Sequence, residues 1–388
     1  MNYDWLIIDC PLSIIHFSNL AYYSFVIGAI IQILFWALIA GRLAFYKLPI
    51  TKSNSQKIIQ QPVSVIVCAK NEATNLQKYL PLILNQDYSH FEVIVVNDRS
   101  TDESANILQN LQKKYPILQV INLPDEKRTI KGKKYALSKG IEAAKYEILL
   151  LTDADCAPIN SEWITLMQAH ISEKKTVGLG YGPMTEAPSF LNIFTQWETV
   201  YTAIQYFTFA LWRMPYMGVG RNLIYKKQLY KDVDGFKTHS HIASGDDDLF
   251  INQIANARNV QIILNPSTFI YSEPKTDFRS FYIQKTRHLS TASHYQLSHK
   301  ILLGLLSVSL FAFHLYPFIL IGLGIGVKLV ILLYLTRWGF FMMNSYFILK
   351  KLKVLRLWWY LPLLDVVYLV YLVFISPAII FRNTSKWR

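Results

Sequence analysis

The strongest constraint in this sequence is where its long apolar runs fall, one near the amino end and three after Lys300, with a middle of quite different character. The first runs from about Tyr22 to Phe45, and the others lie near Ile301–Gly324, Leu329–Leu349 and Trp358–Phe381. Each approaches the roughly 20 residues a helix needs to cross the hydrocarbon of a bilayer. With 52% hydrophobic residues and a positive mean hydropathy, the chain is too apolar for an ordinary soluble protein of its length. The expectation is therefore an anchor over 1–45, a soluble domain over 46–299 and a membrane region of about three helices over 300–388. The third run contains Arg337 and Asn344. A charge there is costly and faces either protein or a substrate path.

The amino terminus carries Asp4 and Asp9 but no early Lys or Arg, and no small-residue cleavage site follows its apolar run, so that run reads as a retained anchor. Arg42, Lys47, Lys52 and Lys57 follow it. The excess of Lys and Arg on cytoplasmic loops places the middle region in the cytosol, together with Lys350, Lys351, Lys353 and Arg356. Four full crossings then leave the basic tail, with Arg382, Lys386 and Arg388, outside, against the same rule. Either the tail is an exception or one segment is re-entrant. The sequon at Asn383 is too short a match to carry weight. Three scattered cysteines, Cys10, Cys68 and Cys156, form no disulfide framework and read as small buried residues. The net charge of +13 suits phosphate-bearing or anionic-lipid partners; with no recognition helix or zinc spacing, no nucleic-acid partner is expected.

After a polar linker over Lys52–Gln61, strands and helices alternate. Val63–Cys68, Glu92–Val96, Leu118–Asn122 and Glu147–Thr152 read as strands, and Asn75–Leu84, Glu103–Lys113 and Lys134–Ala144 as helices. This rhythm predicts an α/β domain with a doubly wound, mostly parallel sheet, in which ligands bind beyond the carboxyl ends of strands. The acids fall there: Asp98 follows the second strand, and Asp153 and Asp155 follow the fourth. Two carboxylates in an Asp-x-Asp can grip one hard cation such as Mg2+ or Mn2+, which offsets charge on a leaving diphosphate.

Four segments in order, VSVIVCAKNE, VIVVNDRSTDES, KGKKYALSKG and ILLLTDADCAP, followed by GVGRNLIY, SGDDDLF and QKTRH, resemble family 2 glycosyltransferases of GT-A fold over residues 60–290. The flanking helices resemble the membrane-bound branch, which includes ceramide glucosyltransferase-like and polysaccharide synthase-like enzymes. The resemblance implies that Ala69 and Glu72 line a uridine pocket, that Asp98 accepts from the uracil, and that Lys133 reaches the ribose or diphosphate. It further implies that Asp153 contacts the nucleotide-sugar and that Asp155 holds the metal. The base of an inverting transfer aligns with Asp247, with Asp246 and Asp248 as alternatives one position away, and crowding by these neighbours is expected to raise its pKa. Gln284, Arg287 and His288 match an acceptor- and diphosphate-side motif whose Trp is here replaced by His288. The aromatic stretch Phe190–Met217 is either an interfacial helix walling a lipid entrance or ordinary core. Gly218 and Gly220 suggest close backbone approach, with the donor sugar one candidate.

The resemblance thus implies an inverting hexosyltransferase that moves a sugar from a nucleotide-sugar, expected to be UDP-linked, to a lipid or lipid-linked acceptor. It would be a multi-pass protein of a bacterial cell membrane with its catalytic domain in the cytosol. The competing readings are a processive polysaccharide synthase and an inactive membrane scaffold.

Overall fold

The computed structural model describes residues 12–48, 60–125 and 130–381. Cys10, Asp4, Asp9, Lys52, Lys57, the sequon and the basic tail lie outside the described residues, as does most of the linker. Helix α1 (Leu12–Leu34) continues through a π-helical turn over Phe35–Ala40 into α2 (Gly41–Ala44). Then come β1 (Val63–Ala69), α3 (Ala73–Leu84), β2 (Phe91–Asn97), α4 (Ser104–Lys114), β3 (Leu118–Asn122), α5 (Lys133–Ala143) and β4 (Ile148–Asp153). Each strand and helix read from the sequence is present, with ends shifted by a residue or two. The apolar runs VSVIVCA and FEVIVVN are buried along their whole length, as strands covered on both faces must be.

The chain continues through β5 (Cys156–Pro158), α6 (Trp163–Gln168), β6 (Val177–Leu179), α7 (Phe190–Leu211), β7 (Leu223–Lys226), α8 (Lys227–Asp232), α9 (Asp248–Ile254), β8 (Val260–Ile262) and β9 (Ile270–Ser272). A seven-stranded sheet runs in the order β3-β2-β1-β4-β7-β6-β8. β1, β2, β3 and β4 are mutually parallel, β7 is antiparallel to β4 and β6, and β8 pairs parallel to β6. β5 and β9 form a separate antiparallel pair. The mostly parallel sheet aligns the carboxyl ends of β1, β2 and β4 along one edge, which is where the chemistry-bearing acids sit.

The last elements are α10 (Phe278–Leu289), α11 (Leu297–Gly322), α12 (Val327–Lys351) and α13 (Leu361–Phe381), with a 3-10 stretch over Leu355–Tyr360 leading into α13. Among the described residues, four helical stretches are long and apolar enough to cross a membrane: His16–Ala44, Leu297–Gly322, Val327–Lys351 and Leu355–Ser376. α1 and α11 pack closely, with Gln32 donating to the Leu306 carbonyl and Phe25 stacked on Phe313. Three helix ends meet at the sheet domain. The Lys351 ammonium donates to the carbonyls of Leu43, Ala44 and Tyr46 at 3.0, 2.7 and 2.8 Å, and Gln296, at the head of α11, donates to Asn252 of α9. Those carbonyls lie at and just past the end of α2, so Lys351 caps that helix end.

Arg337 is fully buried inside the bundle, ion-paired to Asp365 (Nη2 to Oδ1 3.0 Å) and packed among Phe313, Trp338 and Phe341. His314 bonds the same carboxylate at 2.9 Å. Of the two readings of this charge, the packed one holds. α7 also takes the packed form. Trp197, Tyr201, Tyr206, Phe207 and Phe209 are buried, and Trp197 and Tyr201 meet Phe341 and Trp36 of the membrane helices. At the end of this stretch Trp212, 41% exposed with Arg42 over its ring, resembles a headgroup-depth aromatic. One continuous core thus runs from the sheet through α7 into the bundle.

Candidate functional site

Lys133 and Asp153 are brought together by adjacent elements of the sheet edge. α5 starts at Lys133, β4 ends at Asp153, and the ammonium pairs with the carboxylate. The same ammonium lies 3.4 Å from Asp246, so one lysine links the Asp-x-Asp to the triple Asp. The start of α5 must come close to the loop before α9. Gly132 has φ +70°, and a Cβ on it would stand 1.9 Å from the Ala243 carbonyl oxygen, so only glycine fits. Next to it Lys134, fully buried, donates to the carbonyls of His239 and Ser244 at 2.7 Å each. Burial pulls its ammonium down to about 8.

The three aspartates have three different environments. Asp246 faces Lys133. Asp248 is buried and accepts from the hydroxyls of Thr291 and Tyr295. Asp247 is the N-cap of α9; its two oxygens accept the backbone N–H groups of Asp248 (2.8 Å) and Gly220 (2.7 Å). Its carboxyl is pushed up to about 7, first by burial and then by Asp246 and Asp248. The expected rise is present, but burial rather than like-charge crowding is its main cause. The close approach expected at the two glycines is present. Gly220 makes room for Asp247 and also lines the cavity, and Gly218 makes room for the side chains of Leu179 and Leu223.

Asp153, Asp155 and Cys156 have ligand atoms within 4.8 Å of one another. Burial holds the Cys156 thiol well above its usual range, so it stays protonated and offers a hard cation nothing. Asp155 is raised by burial and by Asp153, whereas Asp153 is held below the usual carboxylate range by Lys133 against the opposing effect of burial. Glu72 is likewise raised, chiefly by burial, with Asp155 and Asp153 adding. Asp153 and Asp155 are thus the two carboxylates of this cluster, and the charge of Asp153 acts directly on Asp155.

Ala69, Glu72 and Asp98 sit together at the ends of β1 and β2. The Asp98 N–H donates to the Ala69 carbonyl at 2.8 Å, Arg99 pairs with the Asp98 carboxylate, and Glu72 accepts from Asn75. They do not line the cavity of about 500 Å3 that is walled by Lys133, Asp153, Asp246, Asp247, Gln284, Arg287 and His288. Arg287 bonds His288 at 3.3 Å, and burial followed by Arg287 keeps the imidazole neutral, its pKa well below the ordinary value. The cavity also contains Arg221, whose charge acts on Asp153 and Asp155. Sequence reasoning missed Arg221 and Lys134. Arg221 follows the GVG turn and Lys134 stands in KGKK, but neither position announces that its side chain turns inward.

Residues 64–233 match the profile of glycosyl transferase family 2. This segment is a family 2 glycosyltransferase domain. Among relatives of the chain, poly-beta-1,6-N-acetyl-D-glucosamine synthase of Staphylococcus epidermidis is 31% identical over 111 residues, 29% of this chain and 25% of that protein. GalNAc(5)-diNAcBac-PP-undecaprenol beta-1,3-glucosyltransferase of Campylobacter jejuni is 32% identical over 106 residues, 27% and 33% of the two chains. The matched segments thus span about a quarter to a third of these relatives. Among solved structures, a mannosyltransferase from Pyrobaculum calidifontis in complex with GDP-Man and Mn2+ superposes with a TM-score of 0.55 at 16% identity, over 91% of this chain and 99% of that one. That likeness is one of fold, and it makes the α/β domain a GT-A fold.

Proposed function

We propose that this glycosyltransferase catalyses inverting transfer of a hexose from a nucleotide-sugar, UDP-linked, to a lipid or lipid-linked acceptor at the cytosolic face of a bacterial membrane. The observation that carries the reading is Asp247. It is a recessed carboxyl with a pKa near 7, held by two backbone N–H groups beside the Lys133–Asp153 pair. A base poised near neutral pH takes the acceptor hydroxyl proton as that oxygen attacks the anomeric carbon. Its neighbours are engaged elsewhere, Asp246 with Lys133 and Asp248 with Thr291 and Tyr295.

In this reading Ala69, Glu72 and Asp98 hold the nucleoside, and Lys133, Arg221 and Arg287 face the diphosphate. Gln284 and His288 lie on the acceptor side. Asp155 and Asp153 hold Mg2+ or Mn2+, which supplies a Lewis acid for the leaving diphosphate. The Campylobacter relative's name specifies an undecaprenol-linked acceptor, which favours a lipid-borne one here. Two measurements test the reading. With Asp155→Ala, titration calorimetry should show the metal-dependent affinity for a UDP-sugar falling by about tenfold or more; unchanged affinity would remove Asp155 from the metal site. The transfer rate should fall about tenfold per pH unit below about 7, because the base must be deprotonated. A flat profile between pH 5 and 8 would exclude Asp247 as that base. A long polymer product would favour the processive synthase instead.

A further inference from the structure

The fourth long apolar helix does not sit as a span should. Asp365, near the start of α13, bonds His314 and Arg337, which lie near the middles of α11 and α12, so this end of α13 is at mid-bundle depth. A helix continuing outward from there would carry Ser376 about 16 Å further from the sheet domain, at 1.5 Å per residue. The contacts run the other way. Tyr368 meets Tyr201 of α7 at 4.4 Å between ring centroids. Tyr371 meets Phe194 of α7 and Phe281 of α10 at 5.3 and 6.2 Å. Leu372 and Ser376 line the same cavity as Asp247 and as Lys300 and Leu303, in the first two turns of α11. From Leu363 to Phe374 the outward face of α13 is apolar, with Leu363, Val366, Val370, Val373 and Phe374 exposed. It therefore lies in hydrocarbon rather than among headgroups, and protein covers its other side.

We propose that α13 is a re-entrant helix that dips to the middle of the membrane and returns to the catalytic face, and that its inner side is one wall of the acceptor site. The acceptor's apolar chain enters sideways between α11 and α13. The chamber is amphipathic. Glu198, Thr202 and Gln205 line it from one face of α7, and Leu303, Leu372 and Ile375 line it from the opposite side. A gap opens to the lipid at Gly304 and Ser376: both are exposed, and a Cβ on Gly304 would meet nothing within 4 Å. A headgroup with hydroxyls suits the α7 face, and a hydrocarbon tail suits the gap. The three-span course also puts the basic tail on the side where Lys and Arg accumulate. That the chain entering here belongs to the acceptor rests on the reading of the protein as a lipid-directed glycosyltransferase; the course of α13 does not.

Both parts are tested without an activity assay. In a Cys10→Ser background, where Cys68 and Cys156 are buried, Ser385→Cys and, separately, Asn110→Cys on the exposed side of α4 are treated with a membrane-impermeant maleimide in sealed vesicles of each orientation. Both should label from the same side, and labelling from opposite sides would overturn the re-entrant course. For the chamber, phosphatidylcholine vesicles with diazirine-bearing acyl chains should label Leu303 and Ser307. Leu372→Trp should cut that labelling by more than half while leaving Leu305 and Val308, on the exposed side of α11, unchanged. No label on Leu303 and Ser307, or label indifferent to Leu372→Trp, would overturn the lateral opening while leaving the transfer reaction untouched.

Discussion

Asp247→Asn should lower the rate of sugar transfer by about a thousandfold, within the range that general base catalysis contributes, while the dissociation constant for the nucleotide-sugar stays within about threefold. The amide keeps the shape and can still accept the N–H of Gly220, but it cannot take a proton. Calorimetry with a UDP-sugar and a product assay with lipid acceptor separate the two effects; loss of donor binding would show that Asp247 serves the donor. The same variant has a stability signature. The carboxyl is pushed up from 3.8 to about 7 in the fold, so the folded state favours its protonated form. That preference stabilises fully below the unfolded pKa and is lost as the pH rises through 7. Asparagine mimics the protonated acid at every pH. The variant should therefore melt higher than the parent at pH 8, with the difference closing towards pH 4. A gain in stability that grows from about pH 4 and levels off above about 7 is the mark of a buried carboxyl held protonated by the fold.

Lys134→Met should be the most damaging change among residues with no contact to substrate. The methionine fills similar space but leaves the carbonyls of His239 and Ser244 without their shared donor, at about 1–3 kcal/mol for each buried unsatisfied group. It also removes a cation on which Asp246, Asp248 and Asp247 all act. Transfer should fall by about a hundredfold or more, because a shift of about 1 Å in a catalytic group can cost that much. Since Lys134 acts through the loop, the readout that distinguishes it is the pH limb, which should move upward as Asp247 loses a favourable charge. Lys134→Arg should restore part of the rate. An unmoved limb with reduced rate would reduce Lys134 to a packing role.

Much of the site was legible because strand ends are. A buried β-branched run such as VSVIVCA or ILLLT fixes a strand, the parallel sheet fixes which edge its end occupies, and the acids that follow, Asp98, Asp153 and Asp155, have no other place to be. Lys133 was legible through its motif, and its pairing with Asp153 follows from α5 starting beside the end of β4. Arg221 and Lys134 were not legible. Whether a lysine in KGKK points to solvent or inward depends on which loop crosses above it, and that loop, residues 239–247, is more than a hundred positions away.

The sequence alone therefore determined the alternation of strand and helix, the apolar flanks and the order of the chemistry-bearing residues along one sheet edge. All of these follow from local periodicity and burial. Tertiary structure decided how three identical neighbours come to differ. Asp246, Asp247 and Asp248 have the same chemistry and differ only in what the start of α9, Gly220, Lys133 and Thr291 present to each. It also decided the course of α13. Hydropathy reports how much apolar surface a helix must bury but carries no direction. The direction came from the Asp365 contacts with His314 and Arg337 at one end and the Tyr371 contacts with α7 and α10 towards the other.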